Sequence, residues 1–224
     1  MTSAGIVVFP GSNCEQDCMR SLSALGARTV MVWHAESALP DVDVVILPGG
    51  FAHGDYLRAG AIARFSPVMD AVRKHAESGG LVLGICNGFQ ILCEAGMLPG
   101  ALRKNEGLRF LCKWTEVVVE NTDTPFTSRA RVGDVLKIPI NHFDGNWYCD
   151  PETLRQLQHN RQIVLRYVDN PNGSLGSVAG VCNGSFNVFG LMPHPERACE
   201  SVLGSEDGQV ILRSMLDNPH SFAA

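Results

Sequence analysis

Residues 81–90 read Leu-Val-Leu-Gly-Ile-Cys-Asn-Gly-Phe-Gln, and this stretch decides the fold of the chain. The run from Leu81 to Ile85 is apolar without polar alternation, which is typical of a strand buried inside a parallel sheet. The residues from Asn87 to about Ala95 follow it directly and are predicted to form a helix. A strand that leads straight into a helix is the repeating unit of an α/β fold.

The same alternation of strands and helices extends over the first hundred residues, so the sequence predicts a parallel sheet surrounded by helices. Beyond residue 110 the apolar runs are separated by Gly, Pro, Asn and Asp turns, and there we expect antiparallel or mixed strands. The predicted strands cover residues 6–9, 29–33, 42–47, 81–85, 117–119, 135–140, 163–167, 178–182 and 188–192. The predicted helices run from the turn at 10–13 to Gly26, begin at Pro67 and Asn87, and close the chain around 211–216.

The composition places the chain among ordinary globular proteins. Its 224 residues suit one large domain, and we expect a single domain over residues 1–224. The formal net charge of −5 gives no electrostatic footprint for nucleic acid or an anionic membrane. No stretch approaches the roughly 20 apolar residues of a membrane span, and the first residues do not resemble a signal peptide.

Eight cysteines are present, and most stand in apolar or helical surroundings, which predicts buried thiols in a reducing cytoplasm. Neither C-x-x-C nor H-E-x-x-H occurs, so we expect no metal site in this chain. The cysteines on which this interpretation depends are Cys14, Cys18, Cys93, Cys112 and Cys182.

A cysteine stands between two glycines at residues 84–88. The order G-x-nucleophile-x-G between a strand and a helix is typical of a nucleophile elbow, here with cysteine in place of serine. Glycines leave room for the neighbouring backbone at such a turn, and the helix N-terminus favours a thiolate. Cys86 is therefore the candidate nucleophile, and an inert core cysteine is the alternative.

A cysteine nucleophile needs a base and a group that orients the base. His194 and Glu196 follow the last predicted strand, and in an extended segment their side chains would face the same side. Another predicted strand ends at Gly49 and Gly50, whose backbone N–H groups are expected to form an oxyanion hole with that of Asn87. The alternatives are a surface hydrogen bond for the histidine and an ordinary turn for the glycines.

Together these segments resemble the class I (triad) glutamine amidotransferases, through residues 84–90 and 194–196. Residues 54–60, Gly-Asp-Tyr-Leu-Arg-Ala-Gly, are the most specific of the further segments that resemble one branch of the family. The others are residues 9–14, 49–61, 125–127, 183–184 and 190–197. The resemblance implies a flavodoxin-like three-layer domain: a mostly parallel central sheet, helices on both faces, and an additional mixed or antiparallel strand region in the C-terminal half.

The resemblance also implies a role for individual residues. The implied catalytic residues are Cys86 as nucleophile, His194 as general base and acid, and Glu196 as the group that orients His194. The implied oxyanion hole is the backbone at Gly50 and Asn87. The implied glutamine-binding residues are Gly49, Gln90, Asn141 and Phe143. The implied partner-docking residues are Asp55, Tyr56 and Arg58.

Residues 140–145 read Ile-Asn-His-Phe-Asp-Gly, where many relatives have Ala-His-Gly-Glu-Gly, and this difference makes His142 a rival base to His194. The remaining histidines are expected to be structural or solvent-facing. They are His34, His53, His75, His159 and His220.

The implied reaction is the hydrolysis of glutamine to glutamate and ammonia through a γ-glutamyl thioester. The chain contains no phosphate-binding loop motif, so ATP and Mg²⁺ are expected on a partner synthetase subunit. In the branch that the chain resembles, that subunit uses the ammonia to convert formylglycinamide ribonucleotide to formylglycinamidine ribonucleotide in purine biosynthesis, in many bacteria together with a small third subunit. Two alternatives stay open: a cysteine hydrolase or peptidase of similar architecture, and a non-catalytic flavodoxin-like binding module.

Overall fold

The computed structural model describes residues 1–219, so the expectation for His220 lies outside the described residues. The strands are β1 (Ser3–Val8), β2 (Arg28–Trp33), β3 (Val44–Leu47), β4 (Leu81–Ile85), β5 (Ala101–Arg103), β6 (Leu111–Val119), β7 (Val135–His142), β8 (Asn146–Tyr148), β9 (Ile163–Tyr167), β10 (Val178–Cys182) and β11 (Val188–Leu191). The α-helices are α1 (Glu15–Ala24), α2 (Val68–Glu77), α3 (Asn87–Glu94), α4 (Pro151–His159) and α5 (Gly208–Asp217). None of the helices within residues 1–219 is long and apolar enough to cross a membrane.

Nine strands form one sheet in the order β2-β1-β3-β4-β11-β10-β9-β6-β7. The strands from β2 to β11 in this order pair in parallel, and the pairings from β11 onward to β7 are antiparallel. The predicted α/β class is confirmed. The antiparallel strands of the C-terminal half continue the same sheet, and only β5 and β8 form a separate small ladder in the described residues.

Strands β5 and β8 were not predicted, and two further elements depart from the sequence prediction because their apolar content is low. Strand β6 begins at Leu111 rather than at residue 117, and pairing with β7 along its whole length fixes its exposed first half. Helix α4 was not predicted because it buries only Leu157. Its start is fixed instead by the Asp150 side chain, which accepts hydrogen bonds from two backbone N–H groups of the first turn.

The elbow after β4 is positioned by the close approach of α3 to the neighbouring strand β3. A Cβ added to Gly88 would overlap the carbonyl oxygen of Leu47, at the end of β3. Only glycine fits in the space beside the Leu47 oxygen. Its small size allows the first turn of α3 to lie directly over the sheet. Cys86 stands between β4 and α3, at the carboxyl end of the parallel strands, where ligands of α/β proteins gather.

Replacing Gly88 by alanine is expected to lower the free energy of unfolding by about 3 kcal/mol, because the added methyl group forces α3 away from β3. Gly107 is a matched control, since a Cβ there meets no atom within 4 Å. Urea unfolding of both variants measures the difference. A Gly88→Ala protein as stable as Gly107→Ala would contradict this account of the elbow.

Candidate active site

Cys86 has a strained backbone at the turn between β4 and α3. Its φ is 51° and its ψ is −103°, a conformation that a non-glycine residue adopts only where the surroundings impose it. The N–H of Cys86 donates to the oxygen of Leu191 at 2.8 Å, which ties the turn to β11. Its thiol faces the carbonyl oxygen of Asn141 at 3.6 Å, and the residue is 5% exposed. Contacts with β11 and with the end of β7 therefore hold the sulfur at the sheet edge.

His194 and Glu196 form a buried hydrogen-bonded pair. Nδ1 of His194 lies 2.6 Å from Oε1 of Glu196, and both side chains are almost fully buried. The expected extended segment was wrong in detail, since Pro195–Arg197 forms one turn of 3₁₀ helix. Proline is favoured at the first position of such a turn, because its φ suits the helix and the N–H it lacks has no partner there.

The imidazole of His194 lies beside the sulfur of Cys86. Burial alone would lower the pKa of His194, but the carboxylate of Glu196 and the sulfur of Cys86 raise it well above the ordinary value. Nε2 of His194 makes no well-formed hydrogen bond to the described residues, as is common at catalytic sites without substrate. The imidazole of His194 is thus suited to exchange a proton with the sulfur of Cys86.

Cys14 is a second thiol beside the pair, and sequence reasoning assigned it no role in the site. Nη2 of Arg197 donates to the Cys14 sulfur at 3.1 Å, and Nε of Arg197 donates to Asp17 at 3.1 Å. Donor atoms of Cys14, His194 and Glu196 lie within 4.8 Å of one another and are the group in residues 1–219 that could hold a metal ion. Since Glu196 already engages His194, this group is organised as a hydrogen-bonded cluster.

The two residues expected to form the oxyanion hole follow β3, in the case of Gly50, and Cys86, in the case of Asn87. Gly50 has a φ of 137°, and a Cβ there would lie 2.5 Å from the backbone nitrogen of Asn13, so glycine is required. Asn87 is the first residue of α3, where backbone N–H groups have no partner within the helix. Its side chain also accepts from the N–H of Ala52 at 3.0 Å, which joins the segment after β3 to α3.

A small cavity of about 20 Å³ lies in front of Cys86. It is lined by Gly50, Phe51, Asp55, Cys86, Gln90, Asn141, His142, Phe143 and Asp144. Of the predicted glutamine-binding residues, Gly49 is not part of the lining and instead lies against the His194 ring. Nε2 of Gln90 donates to the backbone oxygen of Asp144 at 2.6 Å, and this bond crosses the cavity wall.

Two carboxylates line this cavity. Burial, and then the nearby charge of Asp144, raise the pKa of Asp55 to about 6, and burial also raises the pKa of Asp144. Nδ2 of Asn87 donates to Asp55 at 3.1 Å. Asp144 stands two residues after His142, yet neither ring nitrogen of His142 has a partner in the described part of the chain. His142 consequently lacks the orienting carboxylate that His194 has.

The predicted docking residues differ in how free their side chains are. Tyr56 is 71% exposed, whereas Arg58 makes two hydrogen bonds to the carboxylate of Glu94, at 2.6 and 2.7 Å. The Arg58 side chain therefore joins the segment after β3 to the end of α3.

The segment that follows β7 is supported by buried amides that sequence reasoning missed. Asn105 accepts from the N–H of Gly145 at 3.1 Å and donates to the oxygen of His142 at 3.0 Å. Asn172 donates to the oxygen of Gly145 at 2.8 Å. Both asparagines are almost fully buried. The available signal for these residues was the presence of Asn in a turn-rich part of the sequence. Nothing in the sequence showed which backbone N–H and carbonyl groups the Asn side chains would bind.

A larger cavity of about 480 Å³ lies on the other side of Glu196 and is not lined by Cys86 or His194. Four of its charged side chains pair with each other, Arg20 with Glu200 and Arg197 with Asp17. We therefore assign the chemistry to the smaller cavity, which contains the strained cysteine.

Comparison with known proteins agrees with this geometry. The family described as CobB/CobQ-like glutamine amidotransferase domain matches residues 2–210. The chain belongs to this family of class I glutamine amidotransferases.

The similarity extends to one particular member. The chain is 55% identical to "Phosphoribosylformylglycinamidine synthase subunit PurQ" of Moorella thermoacetica, over 95% of this chain and 94% of that protein. It is 54% identical to the protein of the same name from Rubrobacter xylanophilus, over 95% of this chain and 96% of the relative. The solved "Structure of PurLQS from Thermotoga maritima" contains a chain with 45% identity and a TM-score of 0.90, covering 97% of this chain and 99% of that one.

Proposed function

We propose that this chain is the glutaminase subunit of a phosphoribosylformylglycinamidine synthase, and that it releases ammonia from glutamine through Cys86, His194 and Glu196. The observation that carries the proposal is the buried His194–Glu196 pair beside a strained cysteine, in a chain 55% identical to a PurQ subunit. A base held by a carboxylate next to a thiol is the arrangement that nucleophilic acyl transfer requires.

The reaction begins with attack of the Cys86 sulfur on the side-chain amide carbon of glutamine. The backbone N–H groups of Gly50 and Asn87 are assigned to stabilising the oxyanion. Protonated His194 then gives its proton to the departing nitrogen, which leaves as ammonia. Water, deprotonated by the same imidazole, hydrolyses the γ-glutamyl thioester, and glutamate leaves.

Glutamine binding requires movement of the cavity walls. A volume of about 20 Å³ holds little more than one water molecule, so the Gln90 bond to Asp144 must open when glutamine enters. Asn141 and Phe143 belong to the same wall and are assigned to glutamine binding, and Gly49 is assigned to holding the His194 ring. The carboxylates of Asp55 and Asp144 suit the α-ammonium group of the substrate.

The ammonia is used by a partner synthetase subunit, which carries ATP and Mg²⁺ and amidates formylglycinamide ribonucleotide, together with a small third subunit. This assignment is supported by the likeness of the chain to one component of the PurLQS structure from Thermotoga maritima. Asp55, Tyr56 and Arg58 are proposed to contact the synthetase, since Asp55 lines the cavity and the neighbouring Tyr56 is exposed. The eight unpaired cysteines suit the cytoplasm. The domain is proposed to be a three-layer, flavodoxin-like unit, which is supported by the contacts of α1 with β1 and β2 and of α2 and α3 with β4.

The experiment that tests the function is glutamine hydrolysis by the chain alone and with the cognate synthetase subunit. We expect a slow rate from the chain alone, because the cavity in front of Cys86 is small. With the partner we expect the rate to rise by at least about tenfold. A partner that stabilises the open form of the site by about 1.4 kcal/mol would multiply the rate by ten. Coupled formation of the amidine product from glutamine should need both subunits. Full ammonia-dependent synthase activity from this chain alone would overturn the division of labour.

A further inference from the structure

The sulfur of Cys14 lies against the imidazole ring of His194. A Cβ built on Gly49 would stand 2.7 Å from Cε1 of His194 and 3.1 Å from the Cys14 sulfur, so both groups lie over the same glycine. The backbone N–H of Cys14 donates to the carbonyl oxygen of Gly49 at 3.3 Å, and Cys14 is 2% exposed. Cys14 is therefore part of the wall around the ring, although α1, which it precedes, is remote from His194 in the sequence.

Arg197 fixes the side chain of Cys14 in this place. Nη2 of Arg197 donates to the Cys14 sulfur at 3.1 Å, and Nε of the same guanidinium donates to Asp17 at 3.1 Å. Arg197 ends the 3₁₀ turn that contains Glu196, and Asp17 lies in the first turn of α1. The guanidinium thus joins α1 to the 3₁₀ turn, and rotation of the Cys14 side chain away from the ring would break its bond to Arg197.

Glu196 fixes the ring of His194 at one atom. Its carboxylate lies 2.6 Å from Nδ1, and rotation of the imidazole about that contact is still possible. A second contact is needed to keep the ring directed at the sulfur of Cys86. Donor atoms of Cys14, His194 and Glu196 lie within 4.8 Å of one another. The Cys14 sulfur is therefore close enough to supply the second contact.

The contact with Cys14 also affects the proton of the ring. Burial would lower the pKa of His194, and the charges of Glu196 and Cys86 raise it. The hydrogen-bond contact with Cys14 raises this pKa further. His142, at the end of β7, also faces the ring and is neutral, because burial and then His194 lower the pKa of His142 to about 3. Cys14 is thus one of the groups that keep the proton on His194.

We propose that Cys14, held by Arg197, is a positioning residue of the site, and that its sulfur fixes the imidazole of His194 in the orientation that exchanges a proton with Cys86. This inference rests on the proposed function, because it concerns the same proton transfer. Cys14 does not line the cavity in front of Cys86, so it is assigned no contact with glutamine. The Arg197 side chain makes no hydrogen bond to the His194 ring within residues 1–219, so its effect passes through Cys14.

The test compares Cys14→Ala and Cys14→Ser with Cys18→Ala, each as full chain in complex with the synthetase subunit. Alanine removes the polar contact with the ring, whereas serine keeps a side chain that accepts from Arg197. Cys18 gives the matched control, because it is a second buried cysteine, one turn further along α1, and its sulfur makes no hydrogen bond in the described part of the chain.

We expect Cys14→Ala to lower kcat about tenfold at an unchanged KM for glutamine, since one hydrogen bond near an ionised group is lost. Cys14→Ser and Cys18→Ala should keep kcat within about threefold of wild type. An equal loss of kcat in the two alanine variants would overturn the proposal, because a cavity beside α1 would then be the cause.

The pH profile separates positioning from a structural role. His194 gives its proton to the departing nitrogen, so kcat falls as the pH rises through the pKa of His194. Because the contact with Cys14 raises that pKa, its loss in Cys14→Ala should move the alkaline limb of kcat to lower pH. Cys18→Ala should leave the limb in place. An alkaline limb at the wild-type position in Cys14→Ala would also overturn the proposal.

Arg197→Met tests whether the guanidinium acts through the sulfur. Methionine keeps an unbranched apolar side chain and removes the donors. The substitution should lower kcat in the wild-type background and have no further effect in Cys14→Ala, because the bond that it removes is then already absent. Additive losses would overturn the assigned role of Arg197.

Labelling of Cys86 by iodoacetamide tests the positioning without turnover. The reagent reacts with the thiolate, whose fraction at pH 7 depends on transfer of the proton to His194. Cys14→Ala should slow labelling of Cys86 severalfold and Cys18→Ala should not, as measured by peptide mass spectrometry. If the wild-type complex does not hydrolyse glutamine, the proposed function fails, and this labelling still decides the role of Cys14. Labelling of Cys14→Ala at the wild-type rate would refute that role.

Discussion

Cys86→Ala is expected to lower the rate of glutamine hydrolysis by at least about 10⁴-fold, because loss of a nucleophile removes the covalent route entirely. The substitution keeps the Cβ, so it does not require the backbone at φ 51° to change. The free energy of unfolding should therefore stay close to that of wild type. The measurements are the glutaminase rate in the complex and urea unfolding of the chain.

Cys112 gives the matched control, because it is the exposed thiol among the eight cysteines. Cys112→Ala is expected to keep the wild-type rate. A glutamine-analogue electrophile should add one mass increment at Cys86 in both wild type and the control, and none in Cys86→Ala. Residual activity of Cys86→Ala within tenfold of wild type would show that another group performs the chemistry.

The parts of the site that follow from local sequence were predictable. An apolar strand, two glycines and a helix define the elbow around Cys86, and β4 has the predicted bounds, Leu81–Ile85. His194 and Glu196 are close in sequence, so their pairing needed only a suitable turn, although the turn is 3₁₀ rather than extended. Such features depend on residues that are close together in the sequence, so steric rules for neighbouring residues suffice to predict them.

The parts that depend on contacts between remote segments were not predictable. Arg197 reaches Cys14 across 183 positions, and Asn105 supports Gly145 across 40. Such contacts depend on the order and register of the strands in the sheet, and apolar spacing specifies neither. Sequence also left His142 as a rival base, and the carboxylate on Nδ1 of His194, which His142 lacks, distinguishes the two.

Glu196→Gln is expected to lower kcat by about 10³- to 10⁴-fold, as loss of the orienting carboxylate does in comparable triads. The bond from His194 Nδ1 to Glu196 Oε1 is 2.6 Å, and the pair is shielded from water. If the amide N–H introduced by Glu196→Gln faces Nδ1, the ring must carry its proton on Nε2 and cannot accept one from Cys86. If the amide oxygen faces Nδ1, the negative charge that raises the pKa of His194 is still lost.

The expected change in Glu196→Gln falls on kcat rather than on KM, because Glu196 does not line the cavity in front of Cys86. Glu200→Gln is the matched control, since that carboxylate pairs with Arg20 at 3.3 Å and has no contact with His194. Steady-state kinetics of both variants in the complex make the comparison. A loss in Glu196→Gln no larger than in Glu200→Gln would mean that His194 is oriented by packing alone, since Gly49 and Cys14 also lie against its ring. A rise in KM at constant kcat would instead place Glu196 in substrate binding, which the geometry of the two cavities argues against.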